Sequence, residues 1–397
     1  MSFTIKDPTI LDELGPERIV LLRDPNAGMT GIFVIDNTAI GWPAGGIRMA
    51  PDITIEEMAR LARAMTYKFA SYRLKVGGAK AGIMADPRSE KKDLLIASFA
   101  EAIKTYIIED RYICGPDMGT YDRDIERIFN IIGKPGLAPK PLGMKKNGFP
   151  VEELFTGYGV SYCIEAVFNH LKNRGVFEQN YKPKIILEGF GKVGVGIAMG
   201  LQELGFKLTG VSTINGAIFN EDGLDLGKLL ELKLQYGDDL INQYEAKNLV
   251  RIEKEKLFEL SSEYPTDFLV PGARQDVINS KNIDKIDVKA IVPASNIPYE
   301  AGITTTLKEK GIIDFPDFIA NAGEILAIGV NKVAKHPDEI FDYVKTQIDE
   351  KAMEIVKGAL EKDLSAYDYA IDDALRYVKK YLNRRSKRIE KLNKKYQ

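Results

Sequence analysis

Two lysines, Lys68 and Lys80, are the residues of this chain whose type and setting most clearly indicate chemistry. They lie twelve positions apart, and Lys80 is the only polar side chain in the glycine-rich run 77–82. Lysine is rarely buried without a task, and burial beside a second ammonium group favours loss of its proton near neutral pH. The pair therefore indicates chemistry on an amine or a carbonyl group.

Composition excludes several other classes of protein. The chain has 397 residues, of which 45% are hydrophobic and 28% charged, enough for two domains with ordinary cores. Its net charge of −2 favours neither nucleic acid nor an anionic membrane. The first residues have no long apolar run, and no stretch is apolar enough to span a membrane, so we expect a cytoplasmic protein.

Cysteine and histidine are too scarce to suggest metal or triad chemistry. Cys114 and Cys163 lack metal-type spacing, and we expect both to be buried thiols. His170 and His336 lie far apart, which argues against zinc sites and histidine-based triads, and we predict no metal. Catalysis must then depend on lysine, a carboxylate or a cofactor.

The segment 53–72 is predicted to form the helix that positions Lys68. Thr54 and Glu57 have capping-box spacing, and apolar residues follow at helical intervals. Lys68 falls near the C-terminal end of this helix, where a solvent-exposed lysine stabilised by the helix dipole is an alternative interpretation.

Asp117 is the carboxylate that we consider as a partner for these lysines. Residues 94–108 have the pattern of an amphipathic helix, and 111–120 that of a short strand ending in a Gly-Pro turn that presents Asp117. Aspartate is also a common turn residue, so a purely structural role is the alternative. The Gly-, Pro- and Lys-rich segment 133–150 is predicted to be a loop or domain boundary.

A dinucleotide-binding pattern follows in the second half. Lys184–Glu188 is predicted to be a buried strand, a Gly-x-Gly-x-x-Gly run occupies 189–194, a helix continues to about Leu204, and 206–211 returns as a strand. In this context the three glycines indicate a loop that admits a pyrophosphate at a helix N-terminus. Further strands are predicted at 267–270, 290–292 and 312–315, and helices from about 336 onward.

Several motifs in order resemble the glutamate/leucine/phenylalanine/valine dehydrogenase family, from about residue 30 to the last helices. These motifs are Gly45-Gly46-Ile47-Arg48, Met65-Thr-Tyr-Lys68, Leu74-x-x-Gly-Gly-Ala-Lys80-Ala-Gly-x-x-x-Asp86-Pro87, Asp117-Met-Gly-Thr, Thr156-Gly-Tyr-Gly, Gly189-x-Gly191-x-x-Gly194 and Pro316-Asp-Phe-Ile-Ala-Asn321-Ala-Gly. The resemblance implies NAD(P)-dependent oxidative deamination of an L-amino acid to its 2-oxo acid and ammonium.

The resemblance also implies roles for individual residues. Lys68 would bind the substrate α-carboxylate, Lys80 would activate water, and Asp117 would move protons to and from the nitrogen. Other implied substrate-binding residues are Ala44, Gly45, Gly46, Met65, Gly115, Asn321, Ile325 and Ile328. Implied cofactor-binding residues are Thr156, Gly189, Gly191, Lys192, Val193, Gly194, Ala294 and Asn296.

Departures from the glutamate-specific pattern point to another substrate. Glutamate-type members have lysine, serine and glutamine where this chain has Ala44, Ile328 and Met65. A buried side-chain carboxylate without a partner is costly, so an apolar pocket favours branched-chain substrates and resembles the leucine-type branch. Glu324 replaces the second glycine of Asn-Ala-Gly-Gly, which removes a permissive backbone position and places a charge near the substrate channel.

The cofactor preference depends on the end of the second strand of the pattern. NAD-specific sites place an acidic residue about 20 positions after the first glycines, but here no carboxylate appears before Glu221. We therefore predict that NADP is accepted, with NADP preference or dual use. Candidate partners of a 2′-phosphate are Ser212, Thr213, Asn215, Lys192 and Lys207.

The predicted architecture is α/β, with two domains around a cleft. Residues 1–150 would form an N-terminal α/β substrate-binding and oligomerisation domain, on which helices from about 346–397 pack back, and 151–345 a doubly wound Rossmann-type domain. The resemblance implies a small-molecule substrate and a homo-oligomer, hexameric or octameric. The alternatives are a glutamate dehydrogenase with an atypical pocket and a non-catalytic nucleotide-binding relative.

Overall fold

The computed structural model describes residues 10–109, 111–138, 142–330 and 336–396. The chain divides into two compact units, Met1–Pro141 with Asp372–Gln397 and Leu142–Ile371. Each unit is built on its own sheet with helices, which confirms the predicted two-domain α/β fold. Within the described ranges no helix is long and apolar enough to cross a membrane.

The first unit is built on a five-stranded sheet in the order β1-β2-β4-β3-β5. Strand β4 is central, antiparallel to β2 and parallel to β3, and β5 is parallel to β3 at the sheet edge. Its elements are β1 (Arg18–Asp24), β2 (Met29–Asn37), β3 (Trp42–Met49), α1 (Ile55–Ser71), β4 (Val76–Ile83), α2 (Lys92–Ile108), β5 (Ile113–Pro116) and α3 (Asp122–Ile131).

The two faces of this sheet are covered differently. One face forms an apolar core in which Phe33, Ile47 and Ala81 pack with Phe99 of α2 and Ile128 of α3. The other face receives α1, which approaches β4 very closely. The apolar core of this unit therefore lies on one face of the sheet, and the face covered by α1 is the one available for a polar site.

Glycine makes the close approach of α1 possible. A Cβ added at Gly78 would lie 2.2 Å from Thr66 Oγ1 and 2.4 Å from the carbonyl oxygen of Ala62. The helix itself begins as predicted, because the Thr54 side chain accepts a hydrogen bond from the backbone N–H of Glu57.

The second unit is built on a seven-stranded sheet in the order β11-β10-β9-β8-β12-β13-β14. Its strands are β6 (Lys145–Lys146), β7 (Phe149–Pro150), β8 (Lys184–Leu187), β9 (Lys207–Thr213), β10 (Gly216–Phe219), β11 (Val250–Ile252), β12 (Phe268–Val270), β13 (Ala290–Ile291) and β14 (Ile313–Asp314), of which β6 and β7 form a separate hairpin. Its helices are α4 (Phe155–Asn173), α5 (Lys192–Leu204), α6 (Leu226–Tyr236), α7 (Leu240–Gln243), α8 (Ile303–Glu309), α9 (Asp317–Ala320), α10 (Gly323–Val330) and α11 (Pro337–Glu361).

The strand order creates a switch point beside β8. From β8 the parallel sheet continues to β9 on one side and to β12, β13 and β14 on the other. In open α/β sheets, ligands bind at the carboxyl ends of the strands where the order reverses in this way. Every strand predicted from 184 onward is present, whereas β10 and β11 were not predicted, since β9 turns back into an antiparallel hairpin.

The unit boundaries differ from the predicted ones at 150 and 346. Helix α11 stays with the second unit because Phe341 packs on Phe155 and Tyr158 of α4, with ring centroids 5.0 and 4.5 Å apart. Only the later part of α12 (Ala366–Tyr396) packs on the first unit, where Val378 joins a cluster with Ala70. Part of the predicted boundary loop, residues 139–141, lies outside the described residues.

Gly78→Ala should destabilise the first unit, because the methyl group would collide with the backbone of α1. Overpacking of this kind costs about 1–3 kcal/mol, and the midpoint of thermal unfolding measured by calorimetry should fall by several degrees. Gly136→Ala is the matched control, since a Cβ there meets no atom within 4 Å. Equal midpoints for the two variants would contradict the close approach.

Candidate functional site

Lys80 lies in the middle of β4, the central strand of the first unit. It is only 3% exposed, and its Nζ lies 2.8 Å from Oδ2 of Asp117. Burial lowers the pKa of the Lys80 ammonium, and although Asp117 opposes this, the pKa stays below its ordinary value. Lys80 is therefore an amine that can be neutral at lower pH than a surface lysine.

Asp117 is presented by a tight turn that follows β5. Its backbone N–H donates to Thr120 Oγ1 at 2.9 Å, and the Thr120 hydroxyl donates to the Ile47 carbonyl on β3 at 2.6 Å. The turn needs Gly119, which has φ +81°, and a Cβ there would lie 2.0 Å from the Met49 carbonyl. The Asp117 carboxylate is thus held against the end of β3 rather than being a free turn residue.

Arg48 is the functional residue to which the sequence motif gave no role. Its Nε donates to Asp117 Oδ2 at 2.9 Å, and its Nη1 to Glu57 Oε1 at 2.7 Å. Burial alone would raise the pKa of Asp117, but Lys80 and Arg48 outweigh it and hold that pKa well below its usual range. The carboxylate of Glu57, interpreted above as half of a capping box, is therefore part of a buried charge cluster. The sequence signal that could have indicated Arg48 is its place as the last residue of the Gly-Gly-Ile-Arg motif.

Lys68 is buried rather than solvent-exposed. It is 6% exposed, which makes the interpretation as a surface lysine at a helix end wrong. Lys68 follows Glu57 by eleven residues, or about three helical turns. Both side chains therefore project from the same face of α1, and their Cα atoms lie about 16 Å apart along the helix axis. One helix face thus supplies the charge cluster at one end and a buried ammonium at the other.

Small residues occupy β3 and β5, the strands next to the β4 strand that carries Lys80. Gly46 pairs with Gly115 across β3 and β5, and a Cβ at Gly115 would meet no atom within 4 Å. Ala44 is buried on β3, and Met65 Cγ would lie 3.5 Å from a Cβ at Gly45. The first-unit residues predicted to bind substrate therefore lie on β3, β5 and α1, with open space at Gly115.

The glycine-rich loop of the second unit fits a pyrophosphate. Gly189 has φ +87°, a Cβ at Gly191 would meet no atom within 4 Å, and one at Gly194 would lie 2.3 Å from the Gly189 carbonyl. Gly191 is the N-cap residue of α5 and provides no side-chain cap, which leaves the helix N-terminus to a ligand. The Val193 carbonyl would lie 2.3 Å from a Cβ at Gly157, so α5 also packs closely on α4.

A chain of hydrogen bonds ties the carboxyl ends of the parallel strands together. Gly189 N–H donates to Ser212 Oγ at 3.1 Å, and Glu188 Oε2 accepts from the N–H groups of Gly272 and Ala273 at 3.2 and 3.1 Å. Burial raises the pKa of Glu188. Glu188, which the sequence analysis did not single out, thus connects β8 to β12 across the switch point.

The residues at the end of β9 are mostly engaged within the protein. The Thr213 hydroxyl donates to the Asp238 carbonyl at 2.8 Å and accepts from Asn215 N–H at 3.2 Å. The carboxylate of Asp238 forms an ion pair with Lys233 at 2.6 Å. The fold therefore brings an acidic residue close to β9 that the sequence spacing did not reveal.

The two lysines suggested for the 2′-phosphate are placed differently. Lys192 begins α5 and forms an ion pair with Glu153 at 2.5 Å. Lys207 is the first residue of β9, so it lies at the end of the sheet opposite to the glycine loop, and its suggested role is wrong.

Asn321 lies at the carboxyl edge with Ala294 and Asn296. Its Nδ2 donates to the carbonyls of Ala294 and Ser295 at 3.2 and 3.3 Å and to Asn296 Oδ1 at 3.1 Å. Among the described residues, its Oδ1 is buried without a hydrogen-bond partner. Thr156 lies nearby in the fold, because its Cα would be 3.1 Å from a Cβ at Gly323.

Helix α10 carries the remaining predicted residues. Ile325 is half-buried and Ile328 is 62% exposed. Glu324 is exposed in the first turn of this helix, where an acidic side chain is favourable. The backbone there is helical, so the replacement of glycine creates no strain.

Comparisons with known proteins agree with this geometry. The Glutamate/Leucine/Phenylalanine/Valine dehydrogenase family matches residues 148–384, and the Glu/Leu/Phe/Val dehydrogenase dimerisation domain matches 16–133. The NADP-specific glutamate dehydrogenase of Saccharolobus shibatae is 32% identical over 330 residues, 78% of this chain and 74% of that protein. The catabolic NAD-specific glutamate dehydrogenase of Bacillus subtilis is 31% identical over 329 residues, 78% and 73% of the two chains.

A solved structure shows the same fold. The hetero-hexameric glutamate dehydrogenase from Thermus thermophilus, in its leucine-bound form, superposes with a TM-score of 0.78 at 24% identity, covering 96% of this chain and 92% of that one. Two α/β units, a buried lysine–aspartate pair and a glycine loop at a switch point are features of an amino-acid dehydrogenase. The chain belongs to the glutamate/leucine/phenylalanine/valine dehydrogenase family and is an NAD(P)-dependent oxidoreductase acting on CH–NH2 groups.

Asp117→Asn should lower turnover by about 10²–10⁴-fold, because an amide keeps the shape but cannot take up a proton. Initial rates of NAD(P)H oxidation with a 2-oxo acid and ammonium measure this, and circular dichroism checks the fold. Asp93→Asn, at an exposed residue on α2, is the control and should leave the rate unchanged. A rate for Asp117→Asn within threefold of the wild type would remove Asp117 from the chemistry.

Proposed function

We propose that this enzyme catalyses the reversible oxidative deamination of an apolar, branched-chain L-amino acid to its 2-oxo acid and ammonium, with NAD(P) as the oxidant. The observation that supports the chemistry most directly is the 2.8 Å contact between Lys80 Nζ and Asp117 Oδ2 beside open space at Gly115. An amine of lowered pKa in contact with a carboxylate suits water addition to an imine.

Each charged residue has a defined task in this proposal. Lys68 binds the α-carboxylate, since a buried ammonium gains most from a carboxylate partner. Lys80, as the neutral amine, takes a proton from the water that attacks the imine carbon. Asp117, in contact with the Lys80 ammonium, relays that proton to the nitrogen of the amino alcohol formed by water addition. As the carbon–nitrogen bond breaks and the carbonyl forms, the hydroxyl proton returns to Lys80 and the nitrogen leaves as ammonia.

A bound nicotinamide cofactor would supply the hydride-acceptor chemistry that oxidation at the α-carbon needs. The loop 189–194 would hold its pyrophosphate, as the exposed Gly191 and the uncapped N-terminus of α5 suggest. Thr156 and Asn296 would lie at the nicotinamide, and the unpartnered Oδ1 of Asn321 would accept from a donor on the ligand.

Preference for an apolar side chain follows from what the first unit lacks. Ala44 provides no charge where glutamate-type members use lysine, and Met65 provides no hydrogen-bonding amide where they use glutamine. Arg48, a further buried cation of the site, is already bound by Glu57 and Asp117. A glutamate side chain would then bury a carboxylate without a cation, which costs several kcal/mol.

A glutamate dehydrogenase with an atypical pocket is the second candidate. It is favoured by the names of the relatives from Saccharolobus shibatae and Bacillus subtilis, both of which are glutamate dehydrogenases. A non-catalytic nucleotide-binding relative is the third, and the contact between Lys80 and Asp117 argues against it.

We also expect a homo-oligomer, hexameric or octameric. The match of residues 16–133 to a dimerisation domain supports assembly through the first unit.

The substrate is tested by reductive amination of a panel of 2-oxo acids with ammonium and either reduced cofactor. We expect kcat/KM for 4-methyl-2-oxopentanoate to exceed that for 2-oxoglutarate by at least about 100-fold, the cost of a buried unpaired carboxylate. The reverse order would establish the glutamate alternative. No turnover with any 2-oxo acid would establish the non-catalytic one.

The cofactor is tested by the ratio of kcat/KM for NADPH and NADH. NADP should be accepted because the end of β9 carries Thr213 rather than a carboxylate, and Thr213→Asp should lower the ratio by about tenfold or more through repulsion of the 2′-phosphate. Thr105→Asp, on the exposed side of α2, is the control. A wild-type preference for NADH above about 100-fold (~2.7 kcal/mol) would contradict the proposal.

A further inference from the structure

The buried charges next to Lys80 outnumber those that the proposed chemistry uses. Arg48 and Glu57 are 7% and 8% exposed, and neither has a role in the reaction described above. Burying an ion pair is costly, and its retention at a site calls for a purpose other than stability. Both residues connect directly to the reacting pair, Arg48 through Asp117 and Glu57 through Arg48.

Two cations share one oxygen of Asp117. Arg48 Nε and Lys80 Nζ lie 2.9 and 2.8 Å from the same Oδ2. Because Arg48 stays protonated, it competes with Lys80 for the negative charge of Asp117 and also repels the Lys80 ammonium. Glu57 attracts both cations, so its charge acts on Lys80 in the opposite sense to that of Arg48.

We propose that Arg48 is a positioning residue that holds Asp117 and disfavours the charged form of Lys80, and that Glu57 fixes Arg48 in this place. This inference rests on the proposed function, in which Lys80 acts as a neutral amine. Arginine suits the task because its planar guanidinium reaches Asp117 through Nε and Glu57 through Nη1 at once, which a lysine ammonium cannot do with the same geometry.

The other titratable groups around the cluster either stay neutral or are bound to partners of their own. Tyr112 and Cys114 on the β5 side stay neutral at physiological pH, because burial raises the pKa of Tyr112 and raises that of Cys114 to about 12. From α1, Glu57 faces the cluster and Lys68 lies about three turns further on. Arg63, also on α1, is bound by the buried Asp36 of β2 at 2.8 Å. From the far side, Lys92 Nζ donates to the Gly119 carbonyl at 3.0 Å and pairs with Asp124 at 2.7 Å, so it holds the turn rather than the carboxylate.

The proposal predicts shifts of opposite sign for two variants. Without Arg48, Lys80 becomes the sole cation facing Asp117 and Glu57, so its pKa rises and the acidic limb of the pH–rate profile moves up by about one unit or more. Glu57→Gln removes an attraction for the Lys80 ammonium, so the pKa of Lys80 falls and the limb moves down. A merely structural role would lower activity in both variants without opposite displacements.

The experiment compares Arg48→Met, Arg48→Lys and Glu57→Gln with the wild type. The first readout is the pH dependence of kcat/KM for deamination. The second is independent of turnover: competitive labelling with acetic anhydride across pH, with acetylation of Lys80 quantified by mass spectrometry. Arg48→Lys keeps the charge and should restore the limb to within about 0.5 unit of the wild type while kcat remains lower. Where Arg48→Met does not fold, Arg48→Gln, which also removes the charge, replaces it.

Arg88→Met, at an arginine whose side chain is 80% exposed, is the control and should match the wild type. Displacements of the Arg48→Met and Glu57→Gln limbs in the same direction, or none in either readout, would overturn the inference while leaving the proposed function intact. Absence of wild-type turnover with every 2-oxo acid would overturn the proposed function, and the labelling curves would still decide whether Arg48 and Glu57 shift Lys80 in opposite senses.

Discussion

The contact between Lys80 and Asp117 is the constraint on which the first unit depends. An isolated ammonium group is too costly to bury in the middle of a central strand, so the fold must bring a carboxylate to it. It does so with a turn whose glycine, threonine hydroxyl and strand carbonyl are all committed to holding Asp117. The parallel order of β4, β3 and β5 is what places that turn at the right edge of the sheet.

Accommodating this pair explains why one sheet face is apolar and the other is rich in glycine. The apolar face supplies the stability of the unit, through the core shared with α2 and α3. The glycine-rich face lets α1 approach until its side chains reach the buried charges. In the second unit a comparable division exists, where apolar strands form the core and hydrogen-bonded loops at their carboxyl ends carry the residues of the proposed cofactor site.

Much of this could be predicted from the sequence because the signals were local. Glycine spacing before α5, the cap at Thr54 and the apolar strands of the parallel sheet each depend on residues close together in the chain. Contacts made by tertiary packing were not accessible. Glu57 had an adequate local interpretation as a helix cap, and its pairing with Arg48, nine residues earlier, depends on how α1 packs against β3.

The same limit applies to the end of β9 and to the unit boundary. Asp238 comes close to Thr213 only because the chain returns after α6, and no spacing rule anticipates that. The assignment of α11 to the second unit depends on aromatic packing against α4, which a helical periodicity alone cannot distinguish from packing elsewhere. The roles of individual site residues remain predictions for the experiments above.

The placement of Glu57 and Lys68 on one face of α1 has a consequence for how this gene can change. Each residue inserted into or deleted from the helix between them would rotate the later residues by about 100°. Such a change would turn Lys68 away from the sheet even though every side chain is retained. The spacing of eleven residues is therefore a fixed length, and members of this lineage should tolerate substitutions within α1 far better than insertions or deletions.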